Sequence, residues 1–181
     1  IKDNYQIIYK TDQENKINGY LIVMNKSNNI EEEKSNTSVF VKVDLNGKLV
    51  EEKEISLEDN SLITKIIPII DHEKNVLGYI AIGKSDYPFI AKYDRELNLV
   101  LKKKYELKDT TFNDISIMRK EKEIDSYVIS LTENNGKILN KVNRYDLEGN
   151  ELATLTTNEY QYDRISFLQE KDGIVIYGLT N

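Results

Sequence analysis

The stretch FVKVDLNGKLV at residues 40–50 decides the fold, because closely similar stretches occur twice further along the chain. They are IAKYDRELNLV at residues 90–100 and VNRYDLEGNEL at residues 142–152. Each copy places an apolar run before an aspartate and a second run after it, and the aspartates stand about fifty residues apart. Self-similarity with a period of this length is the signature of a repeat architecture, so we expect a tandem array of similar units.

Two further phrases precede each copy and extend the repeat. The nearer phrase is nearly continuous and apolar, as GYLIVM at residues 19–24, GYIAI at 78–82, SYVISL at 126–131 and GIVIYGL at 173–179. The farther phrase alternates, as YQIIY at residues 5–9, ITKII at 63–67, DISIM at 114–118 and RISFL at 164–168. Alternation is typical of a half-buried strand, and a continuous apolar run is typical of a strand covered on both faces.

Each unit therefore predicts four antiparallel strands, and the fold class is all-β. The fourth strand mixes charged and apolar residues, as in LVEEKEI at residues 49–55, and should face solvent. Residues 30–35 are predicted to be a solvated loop insertion in the first unit. The predicted units form a single repeat domain: residues 5–56, 62–107, 114–156, and a half unit at 164–181.

The join between the third and fourth strands has a turn signature. Asp44 and Asp146 stand at the first turn position, with Gly47 and Gly149 three residues on. Aspartate can accept hydrogen bonds from the following backbone, and glycine tolerates the left-handed conformation that closes a hairpin. The middle copy has no glycine, so we expect Asn98 to be left-handed there. A calcium loop would need several converging oxygen ligands, and these stretches favour a hairpin turn.

A four-stranded repeat with apolar second and third strands and a polar outer strand resembles a β-propeller blade. The WD dipeptide and the kelch double glycine are absent, so the resemblance implies an architecture and no named subfamily. It implies a partial propeller of about 3.5 blades, and the alternatives are an open curved sheet or a β-sandwich. Because a bare edge strand invites pairing, we expect either further blades in a longer parent protein or closure by a homodimer.

Composition narrows the function. Lysine and arginine number 25 against 31 aspartate and glutamate residues, a net charge of −6, which disfavours nucleic acid as a partner. No apolar run approaches the length of a membrane helix, so we expect no membrane insertion. There is no cysteine, and His72, the one histidine, lies in the charged stretch DHEKN at residues 71–75. A metal site or a catalytic triad would have to recruit His72, and no catalytic motif surrounds it. We therefore expect neither an enzyme nor a cofactor.

Tyrosines at repeated positions are expected to pack between units, because each unit must bury its neighbour's face. Tyr20, Tyr79 and Tyr127 share one such position, and Tyr93 and Tyr145 share another. Aromatic and acidic residues outside these positions are the binding candidates, and we expect them in connections on one face of the array. These candidates are Asp86, Tyr87, Phe89, Phe112, Tyr160 and Tyr162.

The sequence thus predicts a non-catalytic binding or interaction module that presents its loops to a protein or glycan. The alternative is a structural or assembly domain that closes its repeat array with another chain or domain. Since the chain begins at Ile1, we expect an extracytoplasmic or cell-surface protein whose leader has been removed, with a cytoplasmic location as the alternative.

Overall fold

A computed structural model describes residues 5–11, 14, 16–30, 33–55, 61–157, 165–170 and 173–178. These residues form fourteen β strands and no helix. The first four are β1 (Tyr5–Thr11), β2 (Ile17–Ile30), β3 (Glu33–Val43) and β4 (Leu49–Ile55). The next four are β5 (Leu62–Ile70), β6 (Val76–Lys84), β7 (Pro88–Tyr93) and β8 (Leu99–Lys104). The last six are β9 (Thr110–Lys120), β10 (Glu123–Asn134), β11 (Ile138–Tyr145), β12 (Glu151–Thr157), β13 (Ile165–Glu170) and β14 (Gly173–Gly178).

The strands assemble into three consecutive four-stranded antiparallel sheets and one two-stranded sheet. Within each sheet every strand pairs with the next in the chain, giving the orders β1-β2-β3-β4, β5-β6-β7-β8 and β9-β10-β11-β12, followed by β13-β14. The expected all-β fold of tandem four-stranded antiparallel units is confirmed. The first strand of each unit lies against the first strand of the next, so that β5 contacts β1 and β9, and β9 also contacts β13.

The second sheet separates two hydrophobic cores. Side chains alternate along its strands, so one set faces the first sheet and the other faces the third. On β6, Tyr79 and Ala81 belong to the first core, whereas Ile80 and Ile82 belong to the second. All four side chains are buried, which explains the continuous apolar run in this strand. Each core is therefore an interface between consecutive sheets.

The first core is closed by polar contacts as well as by apolar packing. The Gln6 side chain on β1 donates to the carbonyl of Ile66 at 2.5 Å and accepts from its N–H at 2.8 Å. The Asn25 amide on β2 donates to the Ile63 carbonyl at 3.0 Å. These contacts satisfy backbone groups of β5 at the interface, where an unpaired group would be costly.

The outer edges of consecutive sheets are joined by a repeated contact. The ammonium of Lys53 on β4 donates to Oδ1 of Asn98 at 2.8 Å. One unit later, the ammonium of Lys103 on β8 donates to Oδ1 of Asn150 at 2.6 Å. The Tyr105 hydroxyl adds a third bond, to the Gly149 carbonyl at 2.6 Å. The fourth strand of one unit, with the residues that follow it, thus binds the turn between the third and fourth strands of the next unit. We call the β3–β4, β7–β8 and β11–β12 turns the outer turns.

The outer turns share one geometry, with a left-handed residue three positions after the aspartate. Gly47 and Gly149 both have φ of 79°, and Leu97 has φ of 64° at the equivalent position. The prediction that Asn98 is left-handed is therefore wrong. Asn98 instead donates its backbone N–H to Asp94 Oδ1 at 2.8 Å and its side-chain amide to Oδ2 at 2.9 Å. The side-chain bond is the main cause that lowers the pKa of Asp94.

The first hairpin is longer than the sequence predicted. Residues 30–35 were expected to form a loop insertion, but β2 runs to Ile30 and β3 begins at Glu33. Their backbones pair up to Ile30 and Glu33. Four charged residues and a serine follow Ile30 in this segment, so its polar composition indicated a loop. Backbone hydrogen bonding nevertheless extends both strands. As a result, β2 and β3 are longer than β6 and β7, their counterparts in the second sheet.

Candidate functional site

Four of the six predicted site residues lie within the described residues, and two of those four are core residues. Phe89 and Phe112 were expected in connections, but they lie on β7 and β9 with 0% and 2% of their surface exposed. That placement is wrong. The Phe89 ring lies so close to Gly83 that a Cβ there would overlap it, and Phe112 packs beside Tyr105 with ring centroids 5.4 Å apart. Buried rings of this kind offer no surface to a partner.

Of the other four predicted residues, two lie at the surface and two lie outside the described residues. Asp86 is exposed and Tyr87 is half-buried in the β6–β7 connection, as expected. The Tyr87 carbonyl accepts from the Ser85 N–H at 3.1 Å, which makes this a tight turn. Tyr160 and Tyr162 lie outside the described residues. Among the described residues, the surface candidates Asp86 and Tyr87 lie together at one tip of the second sheet.

His72 lies in a turn of the same kind as the outer turns. The Asp71 carboxylate accepts from the Asn75 backbone at 2.7 Å and from its side-chain amide at 2.9 Å, and Lys74 is left-handed with φ of 71°. His72 Nε2 is 3.9 Å from Glu73 Oε1 and both side chains are exposed. Within the described part of the chain, no three His, Cys, Asp or Glu side chains are grouped to hold a metal ion, and no helix is long and apolar enough to cross a membrane.

An apolar surface that the described residues leave uncovered lies on the first sheet, on the side away from the second sheet. Tyr5, Ile7 and Tyr9 on β1 are 65%, 55% and 48% exposed. Tyr20 on β2 stands directly opposite Tyr9 and is 37% exposed. We call these four residues the open face. They alternate with Gln6 and Ile8, which point into the first core, so the exposure follows from the side on which they lie.

The open face corresponds to a covered face in the other two sheets. Ile7 pairs with the residue two positions after Tyr20. Ile66 pairs in the same way with the residue two positions after Tyr79, and Ile115 with the residue two positions after Tyr127. Ile66 and Ile115 are therefore the counterparts of Ile7 in the second and third sheets. Both isoleucines are buried, at 0% and 4% exposure, because the preceding sheet packs on them. Tyr79 and Tyr127 are likewise buried, as predicted from their repeated position. Tyr20 departs from that prediction because no described residue covers it.

A cavity of about 400 Å³ opens between the second and third sheets, and we call it the cleft. It lies at the ends of the strands joined by the β5–β6, β7–β8, β9–β10 and β11–β12 turns, opposite the tip that carries Tyr87. Apolar side chains line much of it, including Leu77, Val100 and Leu147. Lys92, Arg119, Lys122 and Glu123 also line it. An apolar cavity with a few charged groups is the common form of a small-molecule site.

Lys92 is the unusual member of a repeated cation position. Lys42 and Arg144 occupy the same position in the other sheets, and each pairs with a carboxylate: Lys42 with Glu51 at 2.6 Å and Arg144 with Asp125 at 2.5 Å. The register places Leu101 opposite Lys92, where Glu51 stands opposite Lys42. Leu77 occupies the position of Asp125, two residues before the repeated tyrosine. Lys92 thus makes no ion pair or hydrogen bond with any described residue.

The sequence reasoning missed both the open face and Lys92. It treated Tyr20 as an interior residue, because position in the repeat does not reveal which unit has a neighbour. The signal for Lys92 was present in the repeat alignment, where a cation recurs at residues 42, 92 and 144. Its lost partners become visible only through the strand register.

Comparison with protein-family models, curated proteins and solved structures finds no match to this chain.

Proposed function

We propose that the tandem sheets stack as blades of a partial β-propeller and that the chain is a non-catalytic interaction module. The stacking of β1, β5 and β9 in chain order supports the propeller architecture, because first strands of consecutive blades meet at its axis. The observation that carries the function is the open face. An exposed apolar cluster of this kind is typical of an interaction surface in soluble proteins.

The occupant we propose for the open face is a repeat sheet from a second copy of this chain. The argument is continuity with the two interfaces inside the chain, where the equivalent surface of the second and third sheets receives the preceding sheet. A repeat sheet has the right strand spacing and apolar pattern to cover Ile7 and Tyr20 in the same way. Such contacts are head to tail, since two different surfaces meet, and they generate rings or filaments.

The test is the mass of the full chain in solution as its concentration is raised. We expect reversible association of the unaltered chain and a loss of association, by at least about a hundredfold, in the Ile7→Lys variant, because an unpaired ammonium would be buried in the contact. Ile7 is exposed in the isolated chain, so the variant keeps its fold.

Val50→Lys is the matched control, since Val50 is an exposed apolar residue on β4 and its counterpart Val100 faces the following sheet, where it lines the cleft. It introduces the same charge away from the open face and should associate like the unaltered chain. A chain that stays monomeric up to millimolar concentration would refute the proposed occupant. Equal weakening by both variants would refute the surface.

A second candidate function is capture of a protein or glycan at the β6–β7 tip. The observation in its favour is the surface position of Asp86 and Tyr87, an acidic and an aromatic side chain side by side. An array of glycans and of basic peptides provides the probes, with Tyr87→Ala as the variant. A signal on the array that the variant retains would contradict this candidate, as would a complete absence of signal.

A further inference from the structure

The cleft offers a binding site that is independent of the open face. It is formed by the second and third sheets, whereas the open face belongs to the first sheet, and the two surfaces share no residue. The lining residues Leu77, Val100 and Leu147 supply apolar surface to any molecule that enters. A ligand for the cleft therefore needs an apolar body.

The charge of the ligand follows from Lys92. Along β7 the side chains alternate, so that Phe89 and Ala91 belong to the first core while Ile90 belongs to the second. Lys92 follows Ile90 on the side that faces the third sheet, and it lines the cleft. At the equivalent positions of the first and third sheets the cation is neutralised by a carboxylate, and in the second sheet leucines stand where those carboxylates would be.

Other charges in the cleft do not replace the missing carboxylates. Asp71 and Asp94 line it, but each accepts two hydrogen bonds from its own turn asparagine, Asn75 or Asn98. Glu123 lies on β10 at the rim and forms no ion pair with Lys92. A half-buried ammonium beside apolar surface favours an anion that restores the pairing lost in this unit.

We propose that the cleft binds a molecule with an apolar body and a single carboxylate, and that the Lys92 ammonium pairs with this carboxylate. The apolar body lies on Leu77, Val100 and Leu147, and the carboxylate neutralises Lys92 as Glu51 neutralises Lys42 and Asp125 neutralises Arg144. Hydrophobic burial supplies the affinity, and the charge-assisted hydrogen bond determines which end of the molecule reaches Lys92.

The experiment is an amide-resolved NMR titration of the full chain with decanoate. Decanol and decyltrimethylammonium serve as the neutral and cationic analogues. We expect decanoate to shift amides around the cleft, on β7, the β9–β10 turn and the β11–β12 turn. Decanol should bind at least about tenfold more weakly, since a hydrogen bond to a charged group contributes that much or more.

Lys92→Gln is the test variant, and Lys84→Gln is its matched control, because Lys84 is an exposed lysine at the opposite end of the same sheet. We expect Lys92→Gln to bind decanoate with the weaker affinity of decanol and Lys84→Gln to bind like the unaltered chain. Should Lys92→Gln fold poorly, Lys92→Met keeps the stem and gives the same comparison. The proposal is overturned if decanoate causes no localised shifts, if decanol binds equally well, or if both lysine variants bind alike.

Discussion

Leu97 occupies a backbone conformation that glycine adopts in the other two outer turns, and this makes a quantitative prediction. Its φ is 64°, against 79° at Gly47 and Gly149, and it belongs to the first core with 3% of its surface exposed. The left-handed region costs a residue with a Cβ about 1–2 kcal/mol relative to glycine. Burial of the leucine side chain offsets this cost, because truncating a buried leucine to alanine costs about 2–5 kcal/mol.

The perturbation is a pair of substitutions, Leu97→Ala and Leu97→Gly. The alanine variant loses the buried side chain and keeps the backbone strain, so we expect a loss of about 3 kcal/mol in the free energy of unfolding. The glycine variant relieves the strain, which compensates for its greater freedom in the unfolded chain and for the lost methyl group. We therefore expect Leu97→Gly to be as stable as Leu97→Ala within about 0.5 kcal/mol.

Ala81→Gly provides the control, because Ala81 is fully buried in the same core on an ordinary strand. There the change from alanine to glycine should cost about 1–2 kcal/mol. Urea denaturation followed by circular dichroism measures all three free energies of unfolding. An alanine-to-glycine difference at position 97 that is as large as the one at position 81 would refute the argument from strain.

Two further predictions concern stability. Gly83→Ala should cost about 3 kcal/mol, because a Cβ there would overlap the Leu62 carbonyl oxygen and the Phe89 ring, whereas Gly136→Ala, with open space and only a left-handed φ, should cost about 1 kcal/mol. Equal denaturation midpoints for the two variants would contradict this. Burial, with a smaller contribution from Glu148, raises the pKa of Tyr127 to about 12 from 10.0. The folded state therefore keeps the proton while the unfolded chain loses it, so stability is fully present below about pH 10 and falls towards about pH 12, by about 3 kcal/mol from this residue. Tyr127→Phe should flatten that fall in urea denaturation at alkaline pH, and an unchanged slope would contradict the assignment.

Much of the fold was predictable because each repeat contains both the strand patterns and the turn residues that separate them. The alternating phrase, the apolar phrase and the aspartate turn recur in order, so the strands and their hairpins follow from pattern and turn chemistry. Leu97 was missed because leucine is not a residue expected at positive φ. Alignment with Gly47 and Gly149 contained the signal, since all three stand three positions after the aspartate.

The site was harder to predict, because it depends on which faces meet. The sequence analysis placed Phe89 in a connection, yet Pro88 is the first residue of β7 and its carbonyl accepts from the Tyr105 N–H at 3.0 Å. Proline is compatible with the first position of a strand, and the chain is already extended there. Phe89 is therefore the second residue of β7 and lies on the buried side with Ala91. A predicted connection that ended before Pro88 would have placed Phe89 in the strand.

The presence of two cores divided by the second sheet has a consequence for how the molecule opens. Among the described units the first sheet contacts only the second, so the amides of β6 are protected by packing on both sides, while those of β1 are protected on one. Loss of the first sheet breaks one interface, and loss of the second sheet breaks two. Native-state hydrogen exchange should therefore be slower on β6 and β7 than on β1 and β4 of the first sheet. The protein should release its first sheet before its second.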